Sequence, residues 1–259
     1  MGSSTTLAAP LRLLVELARV KWVLGNREAL RYVGCVCRRL PQVWDQRSLA
    51  PADQLMSSPL RLRTEGVPLL VHSSDFGVVR EIFGSRCYAF ADWIARSRTF
   101  LDLGANEGLF SLFALAAHPA NRVTAVEAQA TLCERLRANL RRNGFEARSR
   151  VIQAVAGGPN AQLAALRGTP PPLTMAELVG SEQRIDFLKV DIEGSEFALF
   201  ATNLDWLARV RFIAMELHPE AGDGAALRRR LEEHGLIVRQ ASDHGALGYL
   251  FLDNPSARA

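Results

Sequence analysis

Phe100-Leu-Asp-Leu-Gly-Ala-Asn-Glu-Gly108 is an apolar strand that runs into a glycine-bracketed turn opening a helix. Leu101 and Leu103 sit among β-compatible neighbours and Gly104 supplies the tight turn. Leu109-Phe-Ser-Leu-Phe-Ala-Leu115 continues as a buried helix whose N-terminal amides are expected to face a ligand. The next strand, Val123-Thr-Ala-Val126, ends at Glu127, where a carboxylate can accept both hydrogen bonds of a ribose diol. Gly104 and Glu127 lie the roughly twenty residues apart that a βαβ unit imposes. The pattern therefore predicts a nucleoside pocket at the first strand-to-helix turn of an α/β fold. A tight junction that holds no ligand is the plainer alternative.

Which nucleoside is a separate question. A dinucleotide site needs Gly-x-Gly-x-x-Gly, because its second glycine lets backbone touch a pyrophosphate, and here Asn106 fills that place. A pyrophosphate is disfavoured, and NAD with it. S-adenosylmethionine carries no phosphate; its adenosine, sulfonium and amino-acid tail can be met by Asp102, Asn106 and the amides of the turn. The cofactor-binding candidates are thus Asp102, Gly104, Ala105, Asn106, Gly108 and Glu127, with Asp191 from a later strand.

Beyond Asp102-Leu-Gly-Ala-Asn-Glu-Gly108 and Glu127, the chain carries Phe187-Leu-Lys-Val-Asp-Ile-Glu-Gly-Ser-Glu196 and Met215-Glu-Leu-His218. Together these segments resemble the FkbM family of S-adenosylmethionine-dependent methyltransferases, from about residue 60 to 252. The Lys-Val-Asp-Ile-Glu-Gly-Ser-Glu segment is the specific part. One departure is Ala128-Gln129, where the family usually has proline after the ribose-binding acid. The resemblance implies a class I methyltransferase (Rossmann-like) fold: a mostly parallel seven-stranded sheet with an antiparallel last strand, plus an N-terminal helical extension. Residues 1–58 are expected to form the extension and a linker, and residues 59–259 the methyltransferase domain.

Pro10 can start a helix, and Leu13, Leu14, Leu17, Val20 and Leu24 recur at helical spacing until Gly25. Asn26 can cap a second helix whose stripe is Leu30, Val33, Cys37 and Leu40, ending at Pro41. This hairpin is expected to pack on the catalytic domain or to form a homodimer; lying peripherally on an anionic membrane is the lesser alternative. A hairpin is expected around Glu65-Gly66, and Asp75 is expected to cap the helix after it, substrate contact being its rival role; Tyr88 is a candidate substrate contact. The strand and helix alternation then runs 100–103, 107–117, 123–127, 131–143 and 151–156. The Pro170-Pro-Pro172 run reads as a loop, followed by a helix at 173–179, a strand at 185–191 and a single helix at 196–207. A strand at 212–217, a helix at 224–234 and a closing hairpin at 236–240 and 249–252 complete the chain.

In an open parallel sheet, ligands bind beyond the carboxyl ends of the strands, so Asp191-Ile-Glu193 and Glu216-Leu-His218 should share a crevice with the Gly104 turn. His218 is the expected base, oriented by Glu216 or Glu193, because imidazole titrates near neutral pH; a strand-capping role beside Pro219 is the alternative. Asp191 is the second base candidate, or could hold the cofactor or a substrate hydroxyl. Lys189, one of only two lysines, lies two residues before Asp191 and could pair with it, or simply snorkel from a half-buried strand. Asp191, Glu193, Glu216 and His218 could in chemical terms hold a metal, but the resemblance does not demand one and none is expected.

Composition narrows the function classes. The 259 residues suffice for one α/β domain with an extension, and the four cysteines lack the pairing expected of a zinc site or a disulfide framework. No run approaches the roughly twenty apolar residues of a membrane span, and Met1-Gly-Ser-Ser-Thr-Thr6 lacks the charged start of a secretory signal, so a cytoplasmic protein is expected. Net charge is +4, yet residues 11–40 carry seven arginines and lysines against Glu16 and Glu28, seven minus two or +5, which leaves the remainder at 4 minus 5, or −1. A near-neutral catalytic region argues against nucleic acid as partner. Thr169-Pro-Pro-Pro-Leu173 also lacks the acid or amide and the stacking ring of base methylases. The resemblance implies O-methylation of a hydroxyl on a sugar, glycan or natural-product scaffold. An NAD-linked oxidoreductase and a non-catalytic cofactor-binding scaffold are the rivals.

Overall fold

The computed structural model describes residues 9–157, 170, 172–180, 184–201, 203–244 and 247–257. The N-terminal stretch read for a secretory signal, as well as Thr169 and Pro171, lie outside the described residues. The chain divides into two compact units, one through Cys87 and one from Tyr88 onward.

In the first unit, helices span Ala9–Val23, Asn26–Arg38, Leu40–Gln46 and Ala50–Asp53. Gly25, and not Asn26, occupies the cap position of the second helix. Pro41 does not end the hairpin: it sits in the first turn of the third helix, where a missing N–H costs nothing. Strands β1 (Leu60–Thr64) and β2 (Val67–Val71) pair antiparallel around Glu65 and Gly66, both at positive φ, as a two-residue hairpin turn requires. Asp75 caps Phe76–Val79, its carboxylate accepting from Gly77 N at 2.7 Å. A π-helical turn, Arg80–Ser85, follows. The face of the second helix that packs within the unit is not the Leu30, Val33, Cys37 and Leu40 stripe. Tyr32, Cys35 and Val36 are buried, whereas Leu30, Val33, Cys37 and Leu40 are exposed.

The second unit opens on the short helix Trp93–Arg96 and holds β3 (Thr99–Leu103), β4 (Arg122–Glu127), β5 (Ser149–Gln153), β6 (Val155–Ala156), β7 (Pro172–Leu173), β8 (Ile185–Val190), β9 (Val210–Leu217), β10 (Ile237–His244) and β11 (Leu247–Asp253). Seven of these strands form one sheet in the order β10-β11-β9-β8-β3-β4-β5. β9, β8, β3, β4 and β5 are parallel, and β11 runs antiparallel between β9 and β10. This is the class I methyltransferase, Rossmann-like arrangement expected from the sequence. β6 and β7 form a separate parallel pair, so Pro172 starts a strand where a loop was expected. Pro at a strand's first residue loses no ladder bond that the neighbour needs.

Period-two alternation gives the sheet two different faces. Leu101, Leu103, Leu188, Val190, Ile213 and Met215 join an aliphatic core with the helices Met175–Gly180, Glu196–Leu199 and Gly224–Glu233. The alternate residues Phe100, Phe187 and Phe212 pack against aromatic rings: Phe187 on Phe100 and Phe110, Phe212 on Trp93. Asp102, Lys189 and Glu216 share the parity of that aromatic face, and this is why three ionisable side chains stand together beneath the sheet's carboxyl end. The single helix expected at 196–207 is two pieces, Glu196–Leu199 and a 3₁₀ segment Asp205–Arg209. Arg230 takes the carbonyls of Phe200 and Ala201, while the Asn203 side chain accepts from Asp205 N, so the first piece ends and the second begins by side-chain capping.

Candidate active site

An open cleft of about 120 Å³ lies at the carboxyl ends of β3, β4 and β8. Gly104, Asn106, Glu127, Asp191 and Glu193 line it, together with the apolar Val126, Leu132 and Ala154. The turn after β3 is shaped by the absence of a side chain. Gly104 has φ +71°, and a Cβ there would stand 1.7 Å from the Asp191 carbonyl oxygen. Asn106 and Glu193 also hold positive φ, an uncommon state for a glutamate that marks the Asp191–Gly194 turn as constrained from outside.

The amides of the first turn do not face the ligand as expected. Gly104 N and Ala105 N both donate to Val126 O at 3.0 Å, Gly108 N donates to Ala105 O, and Asn106 N donates to Glu127 Oε2 at 2.9 Å. Four donors that could cradle a phosphate are therefore spent inside the protein. What the turn presents is the Asn106 side chain and the Glu127 carboxylate. Gln129 N holds the other Glu127 oxygen at 2.9 Å, so two backbone donors fix the carboxylate while each oxygen keeps a lone pair for a hydroxyl donor.

Asp102 is a correction. Its side chain is fully buried, with Oδ2 accepting from Ser111 Oγ at 2.7 Å and Oδ1 3.2 Å from Lys189 Nζ, so it braces the turn instead of lining the cleft. Ala105 and Gly108 likewise stand behind the cleft wall and shape the backbone. Lys189 is buried, donates to Gly104 O at 2.8 Å, and pairs with Asp102 and with Asp191 Oδ2 at 3.4 Å. Burial pulls its ammonium pKa down, but the two aspartates outweigh that and hold it above the ordinary lysine range. It remains a cation, tying the β3 turn to the end of β8.

His218 is the second correction. Its Nδ1 lies 3.1 Å from Glu196 Oε1 and its Nε2 3.4 Å from Glu193 Oε2. Glu193 and then Glu196, against the opposing effect of burial, push its pKa up to about 10. Near neutral pH the ring is an imidazolium clamped between two carboxylates, not a base. The orienting group at Nδ1 is Glu196, which also accepts from His218 N at 2.8 Å and Gly194 N at 2.9 Å, while Glu216 engages a different partner. Asp191, Glu193 and His218 each present an atom within 4.8 Å of the others, a spacing that could accommodate a cation.

Glu216 meets Tyr88. The Tyr88 hydroxyl lies 2.6 Å from Glu216 Oε2 and 2.8 Å from Asp191 Oδ2, with its ring beneath Lys189 Nζ at 5.2 Å. One hydroxyl proton cannot serve two carboxylates, so this trio needs a second proton. Burial, and then the nearby Asp191 charge, raise the Glu216 pKa, which favours the arrangement in which Glu216 supplies that proton to Tyr88 and Tyr88 donates to Asp191. The sequence raised Tyr88 only as a possible substrate contact, alongside Asp75, and assigned no role to Glu196 or Ser111. Tyr88 stands 103 and 128 residues from its partners, a distance that no local pattern reports.

The model of the FkbM methyltransferase domain matches residues 102–238, more than half of the chain. This chain belongs to the FkbM methyltransferase family. The match runs from Asp102 at the cleft turn to Val238 in β10 and takes in Glu127, Asp191, Glu193, Glu216 and His218. No curated protein matches the chain. Among solved structures it is similar to M. capricolum TrmK bound to S-adenosyl-homocysteine, at 8% identity over 66% of this chain and 70% of that one, TM-score 0.43. An O-methyltransferase family protein from Burkholderia thailandensis is 12% identical over 71% and 59%, TM-score 0.45. Cofactor-bound Rv0187 from MTB is 21% identical over 62% and 74%, TM-score 0.40.

As a member of this family the protein is a methyltransferase, and its cofactor is S-adenosylmethionine. The site fits that group. Four of the turn's amides are engaged inside the protein, and a nucleoside finds a fixed carboxylate at Glu127 and apolar walls at Val126, Leu132 and Ala154. Family membership, with S-adenosylmethionine as cofactor, sets the NAD-linked reading aside.

Proposed function

We propose that this FkbM methyltransferase methylates a hydroxyl on a sugar, glycan or natural-product scaffold. The observation that carries the reading is Asp191, which lines a cleft whose polar wall is carboxylate-rich and is held from behind by the buried Tyr88 hydroxyl shared with Glu216. Such a wall accepts hydrogen bonds from a polyol and repels phosphodiesters; none of its described lining residues is Lys or Arg, which speaks against a nucleic-acid acceptor.

In this reading Glu127 accepts from the ribose hydroxyls, and Asn106 meets the amino-acid tail. The chemistry supplied by bound S-adenosylmethionine is a methyl on a sulfonium sulfur, which leaves as a neutral thioether when its carbon is displaced. Asp191 takes the proton of the acceptor hydroxyl as the oxygen–carbon bond forms. Lys189 and the Tyr88 hydroxyl hold that carboxylate in place, and Glu216 keeps the second proton of the trio. His218 acts as a fixed cation that positions Glu193 and the constrained 191–194 turn.

The test is to incubate the chain with S-adenosylmethionine and panels of sugars, polyols and RNA, and to read methyl transfer by mass spectrometry. Methylation of a hydroxyl is expected, unaffected by a chelator. Tyr88→Phe should lower kcat about ten-fold or more, the worth of hydrogen bonds to charged groups, at unchanged cofactor affinity. Methylation of RNA or of amines alone would overturn the acceptor assignment. Loss of activity in chelator, restored by Mn²⁺, would assign a cation to Asp191, Glu193 and His218.

A further inference from the structure

Seven of the eight large apolar side chains exposed among the described residues lie between Leu11 and Trp44. They fall in two stripes. On Ala9–Val23, Leu11, Leu14 and Trp22 recur on one face, with Arg19 and Lys21 exposed on either side of it at helical spacing. On Asn26–Arg38, Leu30 and Val33 form a line that runs into Leu40 and Trp44 of the third helix, with Arg27 and Arg38 exposed along one flank. Trp22 is 86% exposed, Leu30 74% and Trp44 65%. These are among the least hidden residues of the unit, although the chain buried Tyr32, Cys35 and Val36 from the same helix.

Among residues 11–40 the exposed charge has one sign, and Asp45 beside Trp44 is the single exposed acid next to the stripes. Of the two acids in residues 11–40, Glu28 is buried and Glu16 is engaged by Arg80 at 3.1 Å. The outward surface of this segment is therefore apolar and cationic. We propose that the helices Ala9–Val23 and Asn26–Arg38 dock on the surface of an anionic phospholipid bilayer. Trp22, Leu30 and Trp44 enter the acyl boundary, and the flanking Arg and Lys side chains reach back to the headgroups. Charge selects this occupant over a second copy of the chain, because a symmetric contact would set cations against cations. The attachment is peripheral, since no helix among the described residues is long and apolar enough to cross a membrane.

Co-sedimentation of the full chain with phosphatidylglycerol and with phosphatidylcholine vesicles tests this. Binding to phosphatidylglycerol is expected, at least about ten-fold weaker on phosphatidylcholine and weakened by salt. Trp22→Glu with Trp44→Glu should lower it about ten-fold or more, as should Arg27→Glu with Arg38→Glu. Both doubles should keep the parent melting temperature, because the four side chains are exposed. Absence of binding to phosphatidylglycerol, equal binding to both lipids, or a solution dimer that Trp22→Glu dissociates would overturn the proposal.

Discussion

His218 shows how neighbours overrule an intrinsic pKa. Its folded value of about 10 stands above the roughly 6.5 of an unfolded chain, so the ion pairs with Glu193 and Glu196 stabilise the fold fully below pH ~6.5. That contribution is lost as pH rises through the folded value. Denaturant melts of the parent protein should therefore lose stability between about pH 6.5 and 10, and His218→Gln should flatten this slope. A variant that keeps the parent slope would show that other groups carry it. The sequence presented His218 as a base because it showed the imidazole without its clamps. Glu196 was legible as part of the Lys-Val-Asp-Ile-Glu-Gly-Ser-Glu motif, but its bond to a residue 22 positions away was not.

At the scale of elements, the β3 turn is a packed joint. Gly104 passes under the Asp191 carbonyl, Lys189 bonds the Gly104 carbonyl, and Asp191 N donates to Leu103 O at 3.2 Å. The end of β8 and the turn after β3 thus position each other, linking cofactor turn to acceptor side. Gly104→Ala places a methyl where a carbonyl already stands, in a backbone state that by itself costs an L-residue about 1–2 kcal/mol. The expected outcome is loss of S-adenosylhomocysteine binding in calorimetry together with a lowered melting temperature; unchanged binding would mean that the turn is looser than this geometry. The turn, its helix and Glu127 were all readable from residue types. The direction of its amides was not, because whether an N–H faces a ligand or the Val126 carbonyl depends on how β4 lies beside it.

For the molecule as a whole, each unit carries its own buried polar tie. In the first, Arg80 forks onto Asp53 Oδ2 at 3.1 Å through two nitrogens and reaches Glu16, while Tyr32 donates to Asp53 Oδ1 at 2.6 Å. Four segments distant in sequence meet there. Arg80→Ala leaves the buried Asp53 carboxylate without its cation and should cost about 3–5 kcal/mol, read as a lower urea midpoint; a change below about 1 kcal/mol would show the network to be ornamental to stability. None of those four residues was singled out from the sequence as part of a network. By itself the sequence determined the family, the mostly parallel sheet and the strand-turn-helix at Gly104, because these rest on short motifs and on spacing along successive βα units. Only the tertiary structure decided that Asp102 is a brace, that Tyr88 joins two acids, that His218 is a cation, and which stripe of the second helix faces outward. Those outcomes depend on side chains brought together from remote strands, and on a helix with apolar residues on more than one face, where periodicity cannot choose the side that packs.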